Sequence, residues 1–161
     1  MAATEYFQDF MPGNVCFGCG RDNHFGLQIS SYWDGDEAVC RWDSEEKYQG
    51  WPGILNGGII ASLIDCHCMG TAVAAACRAE ERPLGSEPEY RYATGTMQIK
   101  YLKPTSNDKT VELRARVTEM RGRKTVVHCK LHSNGEVTAE AEVVAIRVYN
   151  SSQVNESVFG G

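Results

Sequence analysis

The chain has 161 residues, 42% of them hydrophobic and 23% charged, with a formal net charge of −5, proportions that suit one folded domain with a sizeable core and exclude a chain disordered throughout. That acidic balance, with no basic stripe interleaved with aromatic residues, argues against a nucleic-acid partner. Seven cysteines, an odd number with no signal-like start over residues 1–13, read as thiols in a reducing compartment, the cytosol by default, and no run approaches the roughly 18 consecutive apolar residues of a spanning helix.

Taken in chain order, residues 1–25 form an N-terminal segment carrying Cys16-Phe-Gly-Cys19. Gly26 to Trp33 and Glu37 to Asp43 are β-rich runs joined by Asp34-Gly35, the signature of one hairpin. A loop marked by Gly50, Pro52 and Gly53 follows, and from Gly57 to about Cys77 the apolar residues recur at helical spacing. On that helix Ile60, Leu63, Ile64, His67, Thr71 and Ala74 share one side. Ala61, Asp65, Met69, Ala72 and Ala76 share another, where small residues flank the acid and suit close approach of a second backbone.

A charged connection from Arg78 to Tyr92 leads into four strand signals, Ala93–Leu102, Thr110–Met120, Lys124–Ser133 and Glu136–Tyr149. In the second of these Val111, Leu113, Ala115 and Val117 alternate with Glu112, Arg114, Arg116 and Thr118, as in an antiparallel sheet packed on one face. Two strands, one long apolar helix and four strands without βαβ alternation give an α+β fold, a single domain over residues 1–149 and a frayed tail over 150–161. The Asn-x-Ser sequons at Asn150 and Asn155 are then accidental. Residues 1–99 carry 6 basic and 14 acidic side chains, a balance of −8, whereas residues 100–161 carry 10 and 7, a balance of +3, so an anionic ligand is expected on the second half.

Three stretches together resemble the hotdog-fold acyl-CoA thioesterases, specifically the phenylacetate-pathway-type branch of the 4-hydroxybenzoyl-CoA thioesterase superfamily. They are Cys16 to Leu27 (CFGCGRDNHFGL), Gly50 to Asp65 (GWPGILNGGIIASLID) and Thr94 to Pro104 (TGTMQIKYLKP). The likeness spans roughly residues 14–148. It implies a curled antiparallel sheet of about five to six strands wrapped around one central helix, a homodimer or dimer of dimers with sites shared between subunits, and hydrolysis of an acyl-CoA without cofactor. Hotdog proteins also include hydratases, dehydratases and non-catalytic acyl-CoA binders, so residues must decide the activity.

Thioester hydrolysis needs charge stabilisation on the carbonyl oxygen and a group that activates water or attacks directly. Gly57 and Gly58 open the helix, where amides lack intrahelical partners and the dipole is positive, so they are candidate oxyanion donors, or simply permit a tight turn. Asp65 is the candidate base or nucleophile, the alternative being an acid bonded to Ser62 or to a loop. Eight residues at about 1.5 Å each separate it from Gly57 by about 12 Å, so one thioester reaches both only if the acid comes from a second subunit. Asn56 stands where this branch commonly has His. Asn can orient the thioester by a hydrogen bond but cannot trade protons near neutral pH. Thr94 is a candidate for positioning water or the acid, with Thr96 on the same strand face. Gly50 and Thr96 are candidates on the substrate side, and Lys100, Lys103, Arg121, Arg123 and Lys124 are candidates for the phosphates of coenzyme A.

Cys16 and Cys19 have the spacing of half a zinc site, which Cys66-His-Cys68 would complete. Cys66 and Cys68, however, lie about 200° apart on a helix and cannot share one ion. The resemblance places the CxxC in a structural turn, and no metal is expected. His67 reads as a satisfied core residue.

Overall fold

The computed structural model describes residues 2–153. The sequon at Asn155 and most of the expected tail lie outside them. Among the described residues two strands, β1 (Ser31–Asp34) and β2 (Glu37–Trp42), precede the one α-helix, α1 (Gly57–Ala79), and four follow it: β3 (Tyr90–Tyr101), β4 (Val111–Arg121), β5 (Lys124–Ser133) and β6 (Glu136–Asn150). They form one six-stranded antiparallel sheet in the order β1-β2-β4-β5-β6-β3. The sheet wraps α1, which packs against β3, β4, β5 and β6, and this is the hotdog arrangement that the sequence leads one to expect.

α1 begins at Asn56, whose side-chain oxygen accepts from the Gly58 and Ile59 amides. It ends where Glu81 turns left-handed (φ 53) and Arg82 N–H bonds back to the Cys77 carbonyl at 3.0 Å, a closure that satisfies an orphan carbonyl of the last turn. Ile60, Leu63, Ile64, His67, Thr71 and Ala74 are buried, as the wheel of apolar residues predicts. By length and composition α1 is apolar enough to cross a membrane, although no consecutive apolar run suggested it. Its apolarity is met from within the chain, since 67% of its most apolar window is buried.

β1 is shorter than the Gly26–Trp33 run. Gln28 takes a left-handed conformation (φ 55), and its side-chain amide donates to the carbonyls of Gly20 (2.8 Å) and Asn23 (2.6 Å). Gly26–Ser30 therefore secures the cysteine-bearing turn instead of extending the sheet, with Leu27 and Ile29 N–H bonded to the Phe17 and Gly18 carbonyls. β4 alternates as expected through Val117, then admits an extra residue at Thr118. The sheet ends in two edges of unequal length, the four-residue β1 and the twelve-residue β3.

Candidate active site at the mouth of the helix

The loop before α1 is held on both sides, which sets where the helix starts. Leu55 is buried and its N–H bonds to Thr105 O (2.8 Å), Asn56 N–H bonds to Tyr48 O (3.0 Å), and Gly53 N–H bonds to the Gln49 side chain (2.9 Å). Asn56 Oδ1 then accepts from Gly58 N–H at 2.8 Å and Ile59 N–H at 3.2 Å. The Gly58 amide is thereby consumed by the cap. Among the described residues the Gly57 N–H has no acceptor, so the pair of glycines leaves one free donor at the positive end of the helix, not two. Gly50 lies against this mouth, where a Cβ at that position would sit 3.6 Å from Asn56 Cα. Tyr101 closes the other side, donating its hydroxyl to Gly57 O at 2.8 Å.

Asp65 lies two turns further along, half-buried on the flank of α1 that faces β3. Its carboxylate accepts a hydrogen bond from the Thr94 hydroxyl. Ser62 instead donates to Gly58 O at 3.0 Å, so the alternative partner for the acid drops out. Asp65 and Gly57 sit on one continuous helix, about 12 Å apart along its axis, and the single chain keeps them apart as expected.

Thr96 does not share the face of Thr94. Gly95 is an extra residue in β3: Thr94 pairs with Ala145 while Thr96 pairs with Val144, so the alternation slips by one. Thr94, Met97, Ile99 and Tyr101 consequently face α1, whereas Thr96, Gln98 and Lys100 face outward. Lys100 lines an open concavity of about 480 Å³ on that outer face with Arg114, Arg116 and Glu140, and it cannot serve a ligand on the Asp65 side of the same sheet. Lys103 follows β3 and pairs with Glu136 at 3.2 Å. The Arg121, Arg123 and Lys124 turn is exposed, and Lys124 is in register with Ile146, itself paired with Ala93. That places the turn at the end of the sheet where Thr94 lies, two strand spacings or about 10 Å across.

Thr125 was not legible as part of this region. It shares a row with Ala145 and Thr94, is 1% exposed, and its hydroxyl has no hydrogen-bond partner among the described residues. A threonine in a strand carries no sequence signal of that kind. His67, by contrast, is the satisfied core residue expected: fully buried, with Nδ1 2.8 Å from Ser31 Oγ and Nε2 3.0 Å from Ala38 O. Burial pushes its pKa down to about 4.

With this geometry, the chain is similar to several known proteins. Residues 52–140 match the family model described as thioesterase superfamily. The bovine (Bos taurus) acyl-coenzyme A thioesterase THEM4 is 24% identical over 135 residues, 81% of this chain and 49% of that protein, so the chain spans about half the length of this curated relative. A crystal structure of a thioesterase superfamily protein from Shewanella loihica is 34% identical, covering 75% of this chain and 91% of that one with a TM-score of 0.62. The structure of smu.793 from Streptococcus mutans bound to acetyl CoA has the same fold at 14% identity, covering 76% and 90% of the two chains with a TM-score of 0.62.

Proposed function

Because the chain belongs to the thioesterase superfamily, we propose that it hydrolyses an acyl-CoA thioester to the free acid and coenzyme A, at a site shared between two copies of the chain. The observation that carries this reading is a pair of complementary groups: a carboxylate oriented by Thr94, and a helix N-terminus with the Gly57 amide left open. The amide would hold the carbonyl oxygen as it gains charge, and Asp65 would take a proton from the attacking water or attack the carbon itself. When the tetrahedral intermediate collapses, the C–S bond breaks: in the water route the leaving sulfur takes the proton held by Asp65, whereas in the covalent route the thiolate takes a proton from solvent and a water then hydrolyses the anhydride left on Asp65, releasing the free acid. Asn56, its oxygen committed to the cap, retains its Nδ2–H groups to orient the carbonyl.

If Asp65 and the Gly57 amide both act, the distance between them supports a site in which each thioester meets the acid of one copy and the amide of the other. β3 supports such a pairing, since it is the long free edge of the sheet and carries both Thr94 and Tyr101. The exposed turn of Arg121, Arg123 and Lys124 is suited to the phosphates of coenzyme A. The acetyl-CoA-bound fold relative is consistent with that carrier.

A second reading, acyl-CoA binding without turnover, is favoured by one feature: Asn56 is tied into the cap and cannot supply a second acid-base group. Thiol release from a panel of aliphatic and aromatic acyl-CoAs separates the two. Asp65→Asn is expected to lower turnover by about 10² to 10⁴ while ligand binding persists. Unchanged hydrolysis in that variant removes Asp65 from the reaction, and binding without release in the wild type selects the second reading.

A further inference from the structure

Cys16, Cys19 and Cys66 bring three sulfurs within 4.8 Å of one another, and the acyl-transfer chemistry above uses none of them. Two come from the turn before β1 and the third from α1, fifty residues after the first. The turn is shaped around the sulfurs. Gly18 N–H points at Cys16 Sγ at 3.4 Å and the Asn14 side-chain amide at Cys19 Sγ at 3.5 Å, so donors already surround both atoms, as they do in sites that hold thiolate ligands in place.

Glycine at two positions is a requirement of this packing. A Cβ on residue 18 would lie 2.2 Å from Cys66 Sγ, and one on residue 20 would lie 2.4 Å from Cys16 N. The backbone is thus cut away where the helix sulfur enters. Cys16 and Cys66 sulfurs are 3.7 Å apart, while two ligands on a tetrahedral ion with metal–sulfur bonds of about 2.3 Å stand about 3.8 Å apart. An ion could be seated with little rearrangement.

We propose that Cys16, Cys19 and Cys66 form a binding site for a thiophilic divalent cation, zinc by preference, with the fourth coordination position open to solvent beside the exposed Cys16. Three thiolates suit zinc and discriminate against magnesium and calcium, which take oxygen ligands. Cys66 and Cys68 cannot share one ion, as the helix geometry predicts, but Cys66 alone completes a three-sulfur set with the CxxC. Cys68 is fully buried elsewhere, beside Cys129. The ion would bind the N-terminal segment to the one helix at the centre of the fold.

Co²⁺ added to the reduced full chain is expected to give the sulfur-to-metal charge-transfer bands of tetrahedral thiolate coordination, one ion per chain, displaced by Zn²⁺. Cys66→Ser should weaken binding by about tenfold or more, and Cys77→Ser should leave it unchanged. Since Cys66 packs in the core, a second measurement uses the wild type alone: Zn²⁺ should slow alkylation of Cys16 and Cys19, followed by peptide mass, by about an order of magnitude. Absence of the cobalt bands from the folded reduced chain overturns the proposal. So does alkylation at equal rates with and without Zn²⁺, or undiminished binding by a folded Cys66→Ser variant.

Discussion

His67 shows how a polar side chain is kept inside this core. The Gln8 amide donates to Ser31 Oγ at 3.2 Å, leaving the Ser31 hydroxyl to donate to His67 Nδ1, and Nε2–H then donates to Ala38 O. Every ring position is used by the neutral tautomer, and the imidazole has no room for a second proton. A histidine whose folded pKa is about 4, against about 6.5 when unfolded, contributes stability that is present above pH 6.5 and lost as pH falls towards 4, because the unfolded chain takes up the proton first. The loss across that window is of order 3 kcal/mol. Unfolding free energies measured at pH 7 and pH 5 should fall more for the wild type than for His67→Gln, and equal slopes would contradict the assignment. The sequence made His67 legible as core, because it lies on the apolar face of a periodic helix. Its partners were not legible: Gln8 and Ser31 come from segments with no periodic relation to the helix.

Among the elements, the helix start was the easiest to read and held a detail that spacing does not show. Two glycines after Asn56 suggest two open amides, yet an Asn at that position caps the helix with its own oxygen and occupies the second of them. Asn56→Ala is expected to cost about 1 kcal/mol of stability, read by denaturant unfolding, whereas Asn56→Asp should retain the cap. Loss of stability in both variants would place the effect elsewhere. β3 was legible as a strand over nearly its whole length, but the faces of its side chains were not. The single unpaired Gly95 re-phases Thr94 against Thr96 and removes Thr96 and Lys100 from the candidate site; the one mark of the slip is that glycine itself, standing inside a strand run.

At the scale of the whole molecule, the order of two strands, one helix and four strands pointed to an antiparallel α+β fold, and the resemblance carried by three stretches implied the hotdog topology that the structure has. The proposal of a shared site rests on a length, since an acid and an amide eight residues apart on one helix lie about 12 Å apart along its axis, too far to meet the same thioester. Mixing two inactive variants tests this. In a dimer of Asp65→Asn with Gly57→Pro, which removes the amide N–H at a first helical position that tolerates proline, one site carries both defects and the other neither, so a randomly reassociated mixture should recover about a quarter of wild-type turnover. A mixture as inactive as its parts would mean that each site is built from one chain. The unequal edges of the sheet bear on what happens after two chains meet. Pairing through β3 would consume both long edges and leave only the four-residue β1 at each end, too short to template another strand. Growth would therefore stop at a closed particle, and a protein with so long an open edge would avoid polymerising into fibres by spending that edge on itself.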